Sequence, residues 1–174
     1  MKDRKLLNIE LNRLTAEQYR TERTPSGIVL ILDNIRSAHN VGSAFRTGDA
    51  FGVDKIFLGG ICPLPPSAEL HKVALGAEES VPSEHCDDIV ALVRRLQADG
   101  YRVAAVEQTV GSIKLGQFHR DKGQKMALVF GNEVEGVSQS VVDQCDFSLE
   151  IPQEGTKHSL NVSVSIGVVL WGIK

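Results

Sequence analysis

Residues 28–32 read Ile-Val-Leu-Ile-Leu, five aliphatic side chains with no polar residue among them. Side chains along a strand alternate between the two faces of a sheet. An unbroken aliphatic run is therefore expected of a strand buried on both faces, with helices covering each side. Tyr101 to Val106, Met126 to Phe130 and Phe147 to Ile151 read the same way, and Lys55 to Leu58 is a shorter run of this kind.

Helical patterns separate these runs. Ser37 is placed to cap a helix from Ala38 to Phe51. Ser67 to Leu75 reads as a short helix ending at Gly76, after a loop that Pro63, Pro65 and Pro66 keep from being helical. Asp87 to Asp99 is amphipathic, with Ile89, Leu92, Val93 and Leu96 on one face. Acidic residues fall in its first turn and Gly100 supplies its C-cap. This alternation predicts an α/β domain with a largely parallel sheet of five or six strands flanked by helices.

A last helix is expected from Ser159 to Ile173. Leu160, Val164, Val168 and Trp171 lie along one face; Val162, Ile166, Val169, Leu170 and Ile173 cover much of the remainder. A helix apolar nearly all round must be buried on more than one side. In a chain of 174 residues that implies the sheet on one side and a partner subunit on the other.

The length fits one domain, residues 27–174, preceded by an arm, residues 1–26. In the arm, Leu7, Leu11 and Leu14 have helical spacing, which predicts one amphipathic helix over Asn8 to Tyr19 before Pro25, Ser26 and Gly27 break the chain. Met1 to Glu10 is charged and does not read as a signal peptide. No window approaches the 18 or so consecutive apolar residues of a membrane span. Cys62, Cys86 and Cys145 are too scattered for a disulfide framework or a zinc site, and read as reduced cytosolic thiols. His39, His71, His85, His119 and His158 show no metal-ligand spacing, so no metal and no membrane are expected, in a cytoplasmic protein.

The net charge of −3 does not itself suggest a polyanionic partner. Two local groups are basic: Lys114, His119, Arg120, Lys122 and Lys125, and in the arm Lys2, Arg4, Lys5, Arg13, Arg20 and Arg23. Each reads either as an RNA contact or as a solvated surface.

Ligands of open α/β sheets bind beyond the carboxyl ends of the strands. Three unusual loops fall there: Asp33 to Gly52, Gly131 to Gly136, and Pro152 to Ser165. Neither GxGxxG nor GxxxxGK[ST] occurs. The segment GNEVEG carries two carboxylates that would repel a phosphate, so a cofactor without phosphate fits better; taken alone, its glycines suit a tight turn.

Three blocks in order carry a resemblance: NVGSAFR (Asn40 to Arg46), LVFGNEVEGVS (Leu128 to Ser138) and IPQEGTKHSLNVSVSIGVVLW (Ile151 to Trp171). They resemble the signature motifs of the SpoU (TrmH-type) RNA 2'-O-ribose methyltransferases of the SPOUT superfamily, over roughly residues 27–174. The resemblance implies a C-terminal deep trefoil knot, which composition and periodicity do not reveal. It implies S-adenosylmethionine as cofactor, tRNA or rRNA as substrate, and a homodimer with its active site at the interface.

The resemblance also assigns residues. Arg46 matches the catalytic arginine. A guanidinium is nearly always protonated, so Arg46 is expected to pin a phosphate and stabilise the developing alkoxide, with a general-base role as the other reading. Asn40 and Glu133 match further catalytic positions, Glu133 holding Arg46 or Asn40. Ser159 and Asn161 would line the substrate side or fix the last loop; Ser159 is equally placed to cap the final helix. Gly131, Ile151, Ser159 and Leu160, with Glu107 at the end of its strand, are the expected cofactor contacts. Gln153, His158 and Trp171 depart from the common pattern, and none removes a catalytic side chain. A large N-terminal RNA-binding domain, present in some relatives, is not seen in this sequence. Two other readings are a non-catalytic SpoU-like RNA-binding or assembly protein, and an α/β enzyme with another small cofactor.

Overall fold

The computed structural model describes residues 3–174. Seven parallel strands form one sheet: β1 (Ile28–Asp33), β2 (Lys55–Gly59), β3 (Ser83–Cys86), β4 (Arg102–Val106), β5 (Ile113–Lys114), β6 (Met126–Phe130) and β7 (Phe147–Glu150). Their order is β3-β2-β1-β6-β4-β7-β5. The helices are α1 (Ala16–Glu22), α2 (Ala38–Phe51), α3 (Ala68–Ala74), α4 (Ala77–Ser80), α5 (Ile89–Ala98), α6 (Gln139–Val142) and α7 (Val162–Gly172).

Every residue of β1 is buried, and its side chains divide between two cores. Ile28, Leu30 and Leu32 join one with Val41 and Phe45 of α2, Leu70 of α3 and Ile166 and Val169 of α7. Val29 and Ile31 join the other with Leu92, Val93 and Leu96 of α5 and Val141 of α6. The unbroken aliphatic run thus sits between helical layers on both faces, as its pattern requires.

The strand count exceeds the five or six expected. The five runs found in the sequence form β1, β2, β4, β6 and β7, and the two missed strands are the edges. β3 reads Ser-Glu-His-Cys and none of its residues is fully buried, while β5 has only two residues. Short, polar edge strands resist pairing with other chains, and for the same reason carry no hydrophobic signal.

Three helix expectations are corrected. The arm does not form one helix over residues 8–19. A 3-10 turn at Asn8–Leu11 ends at Asn12, whose φ of 46° is left-handed. α1 then starts afresh behind Thr15, which accepts from the Gln18 amide while the Gln18 side chain accepts from the Thr15 amide. In α5 the acidic residue is the cap itself: Asp88 accepts from the Ala91 amide at 2.9 Å and the first turn holds no acid. The final helix begins at Val162, with Asn161 rather than Ser159 as N-cap. The Asn161 carboxamide oxygen accepts from the Ser163 amide at 2.9 Å, and the chain at Ser159 is still irregular. Helix α2 and its Ser37 cap fall where the sequence places them.

α7 runs beside α2 in the same direction. Asn161 bonds Asn40, a Cβ built on Gly167 would meet the Thr47 methyl, and Trp171 packs edge-on to Phe51 at 6.5 Å. One face of α7 is uncovered: Val164, Val168 and Trp171 are exposed, Trp171 by 76% despite its edge contact with Phe51.

Lys2 lies outside the described residues. Arg23 ties the arm to the domain, donating to the carbonyls of Val53 and Asp54 at 2.9 Å each. The second basic group does not form one patch. Lys114 stands at the carboxyl end of the sheet beside Glu150. Arg120 and Lys125 stand at the amino end, where Arg120 donates to the carbonyls of Ser26 and Gln124 and Lys125 to that of Asp99.

The three cysteines are free thiols. Burial, reinforced by nearby carboxylates, pushes Cys62 and Cys86 up to about 11 and Cys145 up to about 12. Thiolate is the nucleophile. Alkylation of the folded protein at neutral pH should therefore run at least about 100-fold slower than that of a free cysteine. The unfolded thiols ionise first as pH rises, so their neutrality adds stability that is present below about pH 9 and lost above it. Labelling rates at pH 7 in the absence and presence of urea check the first statement, and urea midpoints between about pH 8 and 10 the second; rapid native labelling or a midpoint that does not fall above about pH 9 would contradict them.

Candidate active site

A cleft of about 500 Å³ opens at the carboxyl ends of β4, β6 and β7, where parallel sheets place their ligands. Its floor is apolar, from Val106, Phe130, Leu149, Ile151 and Leu160. Its walls carry Glu107, Glu133, Glu135 and Glu150, and no lysine or arginine among the described residues lines it. Of the site residues expected from sequence, Glu107, Gly131, Glu133, Ile151, Ser159, Leu160 and Asn161 all line this cleft.

Asn40 joins them through a chain of side-chain bonds. The Asn161 oxygen is committed to the Ser163 amide and hydroxyl, at 2.9 and 2.6 Å. Its NH2 therefore faces outward and donates to the Asn40 oxygen at 3.2 Å. That fixes the Asn40 NH2 toward Glu133, to which it donates at 2.6 Å. One helix cap thus sets the polarity of the whole chain, linking all three motif blocks. Glu133 sits on a turn closed by Asn132, whose side-chain oxygen accepts from the amides of Val134 and Glu135.

Arg46 is not in the cleft. It is exposed on α2, one residue before Thr47, and the structure does not pair it with Glu133. Of the two partners expected for Glu133, Arg46 or Asn40, the structure pairs it with Asn40.

Gly131 serves its own loop. A Cβ there would overlap the Gly136 carbonyl carbon and the Val137 nitrogen, because the segment folds back on the end of β6. Glu107 braces this fold: its carboxylate accepts from the Val137 amide at 3.1 Å and the Gln108 amide at 2.9 Å. Gln108 in turn donates to the His158 carbonyl at 2.8 Å, fastening the loop that follows β7.

Sequence reasoning missed Asp33. It is 1% exposed at the end of β1 and accepts from both the amide and the hydroxyl of Ser138 at 3.0 Å, and from the Asn34 side chain at 2.7 Å. A charged residue closing an aliphatic strand was the available signal. Asp33→Asn would turn donors against donors; the expected loss is about 1–3 kcal/mol of unfolding free energy. Urea denaturation measures it, and an unchanged midpoint would show that Ser138 does not depend on this carboxylate.

Residues 27–171 match a family described as the SpoU rRNA Methylase family. Among curated proteins, the 23S rRNA (guanosine-2'-O-)-methyltransferase RlmB of Neisseria meningitidis serogroup B is 37% identical over 147 residues, covering 82% of this chain and 56% of that protein. The chain spans about 60% or less of the length of the curated relatives it matches. Among solved structures, the TrmH/SpoU tRNA modifying enzyme of A. aeolicus superposes with a TM-score of 0.78 at 26% identity, covering 90% of this chain and 79% of that one. The AdoMet-bound rRNA methyltransferase of Sinorhizobium meliloti gives a TM-score of 0.77 at 26% identity, covering 88% and 58%.

Proposed function

The chain belongs to the SpoU rRNA methylase family, and from that premise we propose that it is an S-adenosylmethionine-dependent methyltransferase acting on a ribose 2'-hydroxyl of tRNA or rRNA, in the cytoplasm. The observation that carries the proposal is the Asn161–Asn40–Glu133 chain at the rim of an acidic cleft with an apolar floor. Such a cleft suits a cationic cofactor with a flat apolar part and opposes a polyphosphate. The relatives add support: one is named for guanosine-2'-O-methylation and one holds AdoMet.

The bound cofactor would supply the electrophilic methyl group. Ile151 and Leu160 would pack its ring, the main chain at Gly131 and Ser159 would bond its polar edges, and Glu107 keeps that loop in place. Asn40, Glu133 and Asn161 would position the ribose. The trefoil knot implied by the family resemblance belongs to this reading.

Arg46, outside its own chain's cleft, would serve the cleft of a second copy of the chain. The exposed apolar face of α7 is the natural surface for one, and pairing there would place Arg46 at a site shared between copies. Trp171→Glu should therefore convert a dimer to a monomer and depress methyl transfer about 100-fold, while leaving the far-UV circular dichroism unchanged. Sedimentation equilibrium reads the first effect; a wild-type chain that sediments as a monomer would dispose of the shared site.

The direct test is transfer of labelled methyl from S-adenosylmethionine to total RNA lacking this modification, followed by nuclease digestion. Label in a 2'-O-methyl nucleoside is expected. Its absence, with cofactor binding intact, would favour a SpoU-like RNA-binding protein without catalysis.

A further inference from the structure

A cleft walled by four glutamates cannot hold the phosphates on either side of a target ribose. Those phosphates must be held outside it. Several cations of the fold are committed elsewhere. Arg23, Arg120 and Lys125 donate to main-chain carbonyls. Lys55 and Arg95 both pair with Glu84 at 2.9 Å, and Arg102 lies over the Phe147 ring at 4.3 Å.

Among the exposed cations without such a partner, Arg36, Lys114 and Lys157 are set apart by where they stand. Each is exposed, and among the described residues none has a hydrogen-bond or ion-pair partner. All three stand at the carboxyl end of the sheet, around the cleft. Arg36 follows buried Ile35 in the short link between β1 and α2, four residues before Asn40. Lys114 ends β5 in register with Glu150, a wall of the cleft. Lys157 precedes His158, whose carbonyl is fastened by Gln108 at 2.8 Å. From β1 to β5 the sheet steps across β6, β4 and β7, a span of roughly 19 Å at the usual strand spacing. The cations thus flank the cleft on opposite sides, with Lys157 on the loop beside it.

We propose that Arg36, Lys114 and Lys157 are the phosphate grip for the RNA strand whose ribose enters the cleft. This rests on the RNA-methyltransferase reading above and adds the residues that hold its substrate. Contacts of this kind fix the register of a nucleic acid without reading its bases. The acidic wall then acts as a selector: it excludes the backbone and admits the sugar.

The test uses the full chain and two probes, total transfer RNA and total ribosomal RNA, with binding measured between about 50 and 200 mM salt. For the better-bound probe, each of Arg36→Ala, Lys114→Ala and Lys157→Ala should reduce the slope of log K against log salt by about 0.7–0.9, and the triple variant by about 2–3. Arg36→Lys should retain the slope. Cofactor affinity should stay within about twofold, because none of the three lines the cleft, and Lys122→Ala, at the other end of the sheet, should behave as wild type. An unchanged slope in the triple variant, or an equal fall in Lys122→Ala, overturns the grip. The methyltransferase reading fails separately: a wild-type chain that shows the predicted slopes but transfers no methyl group to either RNA retains the grip and loses the reaction.

Discussion

Gly131→Ala is expected to lower the unfolding free energy by about 3 kcal/mol or more and to weaken S-adenosylmethionine binding at least tenfold. Overpacking a core usually costs about 1–3 kcal/mol, because side chains can shift. Here the added methyl would meet main chain, at the Gly136 carbonyl and the Val137 nitrogen. Those atoms cannot retreat. Glu107 holds the Val137 amide, Asp33 holds Ser138, and Asn132 and Gly136 bond each other in both directions. Gly136 has a φ of 71°, and a Cβ there would strike the Glu107 carboxylate, so the turn has no second conformation to adopt. The control is Gly155→Ala, where nothing lies within 4 Å of the new methyl; its stability should change by no more than about 0.5 kcal/mol. Urea denaturation and titration calorimetry separate the two effects. A Gly131→Ala protein with a wild-type midpoint and affinity would mean that the folded-back loop does not shape the cleft.

This loop also shows where sequence reading stops. The central strands were legible because burial on both faces leaves an unbroken aliphatic run, as in Ile28–Leu32 and Met126–Phe130. β3 and β5 were not, because they are short, polar edge strands held by main-chain pairing to β2 and β7, with only part of their side-chain surface against the cores. Gly131 was picked out by the family motif, yet its role came only from the structure. The glycines taken alone read as a tight turn and the motif as a cofactor contact; the structure has the tight turn, with the space at Gly131 filled by the chain's own return five residues later.

The site divides in the same way. Asn40, Glu133 and Asn161 lie in separate motif blocks, and the structure joins them through two side-chain bonds. Asp33, Gln108 and Arg36 were not singled out, since each acts through position: one buried carboxylate, one side chain bonded to a carbonyl, one exposed cation beside a cleft. Lys5 looked equivalent to Arg23 in sequence, but the clamp on the carbonyls of Val53 and Asp54 comes from Arg23's place in the fold. Long-range partners of this kind leave no local pattern to read.

Arg46→Ala should reduce methyl transfer about 100- to 1,000-fold, the usual effect of removing one donor to a developing oxyanion. Cofactor affinity should stay within about twofold, because Arg46 does not line the cleft. Stability should move by no more than about 0.5 kcal/mol, since the side chain is exposed on α2. Arg46→Lys should recover only part of the rate: it restores the charge and loses the planar fork that can hold a phosphate and an alkoxide together. The stronger test asks which copy supplies the residue. Arg46→Ala and Asn161→Ala are each expected to be nearly inactive alone. Mixed and allowed to exchange subunits, half the dimers become heterodimers. If Arg46 serves the partner's cleft, each heterodimer holds one intact site and one doubly damaged site, so the mixture regains about a quarter of wild-type activity. If Arg46 serves its own cleft, every site in the mixture carries one defect and no activity returns. Single-turnover rates on the mixture decide between them, and a failure to recover despite proven exchange would return Arg46 to its own subunit.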